Sequence, residues 1–462
     1  MNEHSRILER EKLDIDTLRD ADLRLPAVLP REPFPIEPVT PDARQQTRAV
    51  GQRATRPDGR LHGLGQTKYI DDLSFPGMLY ARIKRAGIAS ARIKRIDTSA
   101  AEAMPGVMAV LTGKEIPTNT FGPTFQDQPV LVDDVVFHAG DGVAAVAAVT
   151  EQIANEALDK IVVEYESLPA VLDPVAAMRE DSPKVHAPDS NIYATKVIRK
   201  GDVEKGFAES DHIFEARFST QMIEHVSLEP HAAIADWDAN GRLTIYATIG
   251  RITLARADMA RTLKLPMSRI RIVGTIVGGN FGGKNEITQE PALALLSKKT
   301  GRPVKGVFTR GEEFTSTTTR HPIIMDYKTG VSKAGRIIAR QIRLVLDGGA
   351  YCSWSATTLG KACILAPGPY KIDNVLSEAF VVYTNKTMTG AMRGFGAPQV
   401  CFAYESQMDD IAKALNIDPL EIRLLNAFDE GSSSPTGQVL HSVVVKETLR
   451  KAADRFGWEP RS

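Results

Sequence analysis

From residue 50 onward, apolar positions fall into short runs with either the two-residue spacing of strands or the three-to-four-residue spacing of helices. Met78 to Ile83 alternates as a strand. Gly106 to Thr112 (GVMAVLT) and Gly142 to Val149 (GVAAVAAV) are unbroken runs of the kind that form buried strands. Glu151 to Leu158 has helical spacing, and Lys160 to Glu164 enters another strand. Farther along, Asp211 to Thr220 and Arg242 to Thr248 read as strands, and Leu254 to Leu263 as a helix stopped by Pro266. The strand Ile270 to Ile276 precedes a helix at Thr288 to Ser297. Strands follow at Arg302 to Thr309, Ile337 to Asp347 and Ala379 to Tyr383, then a helix at Tyr404 to Leu415. Asp418 and Pro419 supply an N-cap and a first-turn proline for the helix Leu420 to Asn426, and Val445 to Phe456 is amphipathic. Strands and helices interleave irregularly, which predicts a mixed α/β, α+β architecture.

A chain of 462 residues exceeds one ordinary core. Residues 1–48, rich in proline and charge, read as an extended arm. Residues 49–172 read as an α/β domain, 173–193 (rich in Asp, Pro and Ser) as a linker, and 194–462 as a larger second domain. Lys plus Arg equals Asp plus Glu at 57 each, so no global field draws nucleic acid or an anionic membrane. The three cysteines form no C-x-x-C pair, which excludes a zinc ribbon or an iron–sulfur cluster built from this chain alone. The charged N-terminus and the absence of a long apolar run predict a soluble, cytoplasmic protein without a membrane span.

Two stretches carry candidate chemistry. Val277-Gly278-Gly279-Asn280-Phe281-Gly282-Gly283-Lys284 follows a strand, and so does Gly390-Ala391-Met392-Arg393-Gly394-Phe395-Gly396. Both set a phenylalanine among glycines, where the backbone can turn sharply and present N–H groups to a ligand. Neither matches a phosphate-loop or dinucleotide template. Together they predict a flat or bulky anionic ligand gripped by backbone and flanked by rings. His225, Glu229 and His231 lack the spacing of a metal motif and read as a hydrogen-bonded turn. Glu286 and Glu290 flank the first loop and could bind substrate or serve as a base, but a solvated helix start is the plainer reading of both. Lys361, in the apolar run Gly360 to Pro367, reads as a buried or cleft-lining cation.

These segments resemble the xanthine dehydrogenase and aldehyde oxidase family of molybdenum hydroxylases. The matching segments for a hammerhead-like α/β domain include Asp71-Asp72-Leu73, Pro76-Gly77-Met78-Leu79-Tyr80-Ala81, Met104-Pro105-Gly106-Val107 and Val163-Glu164-Tyr165-Glu166. Those for a first molybdenum-cofactor-binding α+β domain are Leu228-Glu229-Pro230-His231, Phe281-Gly282-Gly283-Lys284, Arg320-His321-Pro322, Asp347-Gly348-Gly349-Ala350-Tyr351 and Arg393-Gly394-Phe395-Gly396. The resemblance implies a pyranopterin-held molybdenum with no protein ligand to the metal. It implies cofactor binding at Gly250, Gly279, Asn280, Phe281, Gly282, Arg393 and Gly394, and substrate binding at Phe281, Asn285, Lys361 and Phe395.

Three positions depart from the family pattern. Gly250 stands where relatives usually carry a glutamine hydrogen-bonded at the metal, and Asn280 replaces a loop glycine. Asn285 stands where purine oxidisers have a substrate-binding glutamate, which argues against xanthine as substrate. By resemblance the expected protein is the molybdopterin-binding half of a large subunit split between two chains, as in the nicotinate dehydrogenase type. It would oxidise an N-heteroaromatic (xanthine- or nicotinate-like) or an aldehyde. The catalytic general-base glutamate is then expected on a second molybdopterin-domain subunit, and no catalytic residue on this chain. The cofactor is expected in its cytosine dinucleotide form, with [2Fe-2S] and FAD on further partner subunits. The alternative is a non-catalytic cofactor-binding or assembly subunit that keeps the fold.

Overall fold

Seven strands lie side by side in the order Ile270–Gly274, Leu243–Ala247, Ala232–Trp237, Val304–Val307, Leu79–Arg85, Gly142–Ala148 and Val107–Thr112. The computed structural model describes residues 55–186 and 189–460, so the arm expected over residues 1–48 lies outside the described residues. Of the unit Met1–Thr67, the described part carries one short helix, Gly59–Gly63; the sheets belong to the unit Lys68–Ser462. Gly142–Ala148 is buried at every position, as an unbroken apolar run demands, and sits inside the sheet. Leu79 pairs in parallel with Val304, so strands of the early α/β region and of the later region share one sheet. Helix Glu290–Thr300 covers a face of it, with Leu293 and Leu296 fully buried against Leu243, Ile245 and Val304. Each such leucine contributes about 2 kcal/mol of transfer free energy.

A second sheet has five strands in the order Ile192–Lys200, Asn374–Tyr383, Ile337–Gly349, Ile323–Val331 and His212–Thr220. Helices Ser355–Leu365 and Ala397–Leu415 pack on it through Leu359, Ala362, Cys363, Val400 and Ala403. Strand Asn374–Tyr383 starts earlier than its apolar run because polar Ser377 is buried, its hydroxyl donating to the Cys363 carbonyl at 3.1 Å. A third sheet joins Val135–Val136, Ala91–Asp97 and Val162–Ser167.

Buried hydrogen bonds tie the early region to the second sheet. The Tyr351 hydroxyl donates to Asp141 at 2.8 Å, and Asp127 accepts from the Cys352 N–H and the Tyr383 hydroxyl, each at 2.8 Å. The stretch expected as a linker is packed as well. Asp173 caps helix Pro174–Ala177 by accepting from the Ala176 N–H at 2.7 Å, and buried Asn191 donates to the Ala177 and Pro183 carbonyls. The result for function is positional: strand Ile270–Gly274 of the first sheet and strand Asn374–Tyr383 of the second each run toward one of the glycine loops.

Candidate functional site

The two loops meet. The Arg393 N–H donates to the Phe281 carbonyl at 2.7 Å, and a Cβ added at Gly282 would lie 2.4 Å from the Ala391 carbonyl oxygen. Phe281 and Phe395 both adopt φ of 50°, a left-handed conformation rare for a bulky residue. Flanking glycines make those turns passable: Gly282 has φ of 111° and Gly394 of 105°. Phe281 keeps 47% of its surface exposed, so its ring is open to a ligand at the loop junction. Phe395 is half-buried and Arg393 exposed.

Beneath the loops lies the Glu224 to His231 turn, and each residue singled out there holds backbone. The His225 ring packs on Gly283, and its Nε2 lies 2.8 Å from the Ala391 carbonyl oxygen. Glu229 accepts from the Gly278 N–H at 2.7 Å, and the Glu229 N–H donates back to the Gly278 carbonyl at 3.1 Å. His231 Nε2 sits 3.1 Å from the Gly283 carbonyl oxygen while its Nδ1 lies 3.0 Å from Glu313. Lys284 is 1% exposed, its ammonium donating to the Glu229 carbonyl at 2.7 Å and lying 3.3 Å from the carboxylate. Burial holds its pKa below the usual lysine value, against the opposing pull of Glu229. The expected hydrogen-bonded turn is what the structure contains.

Gly250, Asn280 and Asn285 also come together. A Cβ at Gly250 would lie 2.3 Å from Asn280 Nδ2 and 3.0 Å from Asn285 Oδ1, and the Gly250 N–H donates to the Lys284 carbonyl at 2.8 Å.

With this arrangement in view, residues 185–427 match the model of the molybdopterin cofactor-binding domain. Residues 64–169 match that of the aldehyde oxidase and xanthine dehydrogenase a/b hammerhead domain. The chain belongs to the xanthine dehydrogenase and aldehyde oxidase family. It is 41% identical to the nicotinate dehydrogenase large molybdopterin subunit of Eubacterium barkeri, over 88% of this chain and 96% of that subunit. It is 33% identical to the xanthine dehydrogenase molybdenum-binding subunit of Escherichia coli, over 86% of this chain and 54% of that protein. Among solved structures, the aldehyde oxidoreductase from Desulfovibrio gigas superposes with a TM-score of 0.84 at 31% identity, over 87% of this chain and 46% of that one. The chain thus spans nearly all of the first relative and about half of the other two.

The cofactor of this family is molybdopterin carrying molybdenum, and the residues present fit it. The glycine cradle brings bare backbone from two loops together beside an exposed ring. Among the described residues no cluster of three or more His, Cys, Asp or Glu side chains is placed to hold a metal ion.

Two expectations need correction. Lys361 is not buried: it lies on the exposed side of helix Ser355–Leu365, whose Thr358, Leu359, Ala362 and Cys363 face inward, so the apolar run is one helix with two faces. Ala362 on that helix backs the Gly396 turn of the second loop. Glu286 and Glu290 are not a solvated helix start either, since both are buried. Glu290 turns back to accept from the Thr288 N–H at 2.6 Å, and burial raises its carboxyl above the usual range.

For Glu286 the sequence raised a substrate-binding or base role beside the plainer solvated reading, and what it missed is the burial. Glu286 accepts a hydrogen bond from the Ser353 hydroxyl, and Ser353 is itself held at φ of 45°. Burial pushes the Glu286 carboxyl up to about 7; the Ser353 hydrogen bond opposes this, while Asp258 and Asp127 reinforce it. The folded state therefore retains a proton that the unfolded chain releases near its ordinary value of 4.5. The corresponding stability is present below 4.5 and is lost as pH rises through about 7. Glu286→Gln should be more stable than wild type at about pH 8 by up to about 3 kcal/mol and near parity at about pH 4. Urea unfolding across that range checks it; parallel curves for the two proteins would exclude a buried neutral Glu286.

Proposed function

We propose that this chain is the molybdopterin-binding subunit of a multi-subunit molybdenum hydroxylase that oxidises an N-heteroaromatic ring. The observation that carries the reading is the junction of the two Phe–Gly loops, with the exposed Phe281 tied through its carbonyl to Arg393. Support for the substrate class comes from the similarity to the nicotinate dehydrogenase subunit over 96% of its length. When bound, the cofactor supplies two-electron oxidation with water as the oxygen source. This chain's own residues would do the positioning. Phe281 and Phe395 would flank a flat substrate and exclude water, while Gly279, Gly282, Arg393 and Gly394 would let backbone approach the cofactor. Asn285 offers an uncharged contact to the substrate, and Lys361 a cation at the helix beside the second loop. The proton-accepting glutamate, the [2Fe-2S] and FAD groups and the second cofactor domain would belong to partner subunits, and the cofactor would be the cytosine dinucleotide form.

The test is the complex purified with its co-purifying chains. Near-stoichiometric molybdenum and pterin are expected, together with oxidation of nicotinate or a related heterocycle that takes its oxygen from labelled water. A complex free of molybdenum would overturn the reading. A second reading, a non-catalytic subunit that keeps the fold, is favoured by one observation: Asn280 Oδ1 accepts from the Gly282 N–H at 2.8 Å, which engages a loop donor internally. Turnover by the loaded wild-type complex disposes of it.

A further inference from the structure

We propose that Asn280 and Gly250 act as one unit, in which the Asn280 side-chain amide is the positioning donor of this site and Gly250 is the space it requires. The inference rests on the reading that the loop at 277–284 binds the cofactor, and it deepens that reading.

Begin with Gly250. Its φ lies outside the left-handed range, so its backbone conformation does not demand glycine. Its N–H is fixed to the Lys284 carbonyl, so this stretch cannot simply swing away from the loop. What glycine provides here is room. The point a Cβ would occupy is 2.3 Å from Asn280 Nδ2, 3.0 Å from Asn285 Oδ1 and 3.4 Å from Asn280 Cγ. The tightest of these separations is one that Cβ atoms essentially never show.

Now take Asn280. Its Oδ1 accepts from the Gly282 N–H at 2.8 Å and lies 3.4 Å from the Lys284 N, and its backbone carbonyl accepts from the Gly283 N–H at 2.8 Å. An amide oxygen engaged by backbone N–H groups fixes which way the amide points. The NH2 group therefore lies on the Gly250 side, 2.3 Å from the point a Gly250 Cβ would occupy, and no protein acceptor takes a hydrogen bond from it among the described residues. Asn280 Nδ2 and Asn285 Oδ1, an uncharged donor and acceptor, both border the space that a Gly250 side chain would fill, in the segment that carries the exposed Phe281. The chemistry that recognises such a pair is a neutral polar edge, an oxygen or ring nitrogen accepting from Nδ2, rather than a fully charged group.

A mutant cycle in the assembled complex separates the parts, with molybdenum content, thermal midpoint, kcat and KM measured for each variant. Gly250→Ala should lower kcat/KM at least about tenfold while Asn280 is present. The same change in an Asn280→Gly background should cost no more than about threefold, because the obstructed group is gone. Asn280→Asp keeps the acceptor for the Gly282 N–H and removes the donor. It should retain molybdenum and thermal midpoint while kcat falls about tenfold. Additive effects of the first two changes would overturn the steric unit, and an unchanged kcat in Asn280→Asp would overturn the donor role. The thermal-midpoint arm of the cycle reads the steric coupling even in a metal-free protein. Failure of the cofactor reading would thus appear as absent molybdenum in wild type, and failure of this inference as additivity.

Discussion

Gly282→Ala is expected to strip the complex of molybdenum, lowering the metal-to-protein ratio by at least about tenfold. Two effects act together at this position. The backbone sits at φ of 111°, outside the region an alanine adopts, and the new methyl would fall 2.4 Å from the Ala391 carbonyl oxygen and 2.8 Å from its carbon. Those neighbours are backbone, and His225 already holds the Ala391 carbonyl, so the second loop cannot yield as a flexible side chain would. The loops must part, which breaks the Arg393 to Phe281 hydrogen bond that joins them. Gly437→Ala is the matched control. Its φ is 85° with nothing within 4 Å of the added Cβ, so it carries backbone strain alone, about 1–3 kcal/mol. Metal analysis of purified complexes, beside circular dichroism to show that both variants fold, decides the matter. Full molybdenum in Gly282→Ala would mean that the loop junction does not grip the cofactor.

The amphipathic run Val445–Phe456 was legible because its period ends at solvent and a glycine stops it. The strand into the first loop was legible because an apolar run ends at glycines. Strand Ala232–Trp237 escaped notice because its residues are mostly small and follow a proline-containing turn; it is the sheet, pairing it on both sides, that makes it a strand. Helix Ser355–Leu365 escaped because threonines and a glycine dilute its period, and packing against strand Asn374–Tyr383 overrides weak propensity. At the site, the loops and their aromatic residues could be read from local composition. The burial of Glu286 could not, because an acid before a helix looks the same in sequence whether it faces water or a buried serine. The contact between Gly250 and Asn280 spans thirty positions, and nothing in either segment alone reports it.

Lys284→Met should cost about 3–5 kcal/mol of stability, the range for removing one member of a buried ion pair. The ammonium is 1% exposed, and it serves both the Glu229 carbonyl and, at 3.3 Å, the Glu229 carboxylate. Without it the carboxylate is left with the Gly278 N–H on one oxygen and no hydrogen-bond partner on the other, which is already buried and unpaired. Adding Glu229→Gln to Lys284→Met removes the uncompensated charge and should return about 2 kcal/mol, so the double variant is more stable than Lys284→Met alone. Urea midpoints of the three proteins at neutral pH provide the check, and a double variant no better than Lys284→Met would rule out charge burial as the cause. The consequence reaches the loop, because Glu229 is also its anchor at Gly278, as His231 is at Gly283. A glycine-rich segment has little stiffness of its own, so its shape must be imposed by what holds its two ends. Molybdenum content should therefore fall in Lys284→Met even at temperatures where the rest of the fold persists, and recover in part with Glu229→Gln.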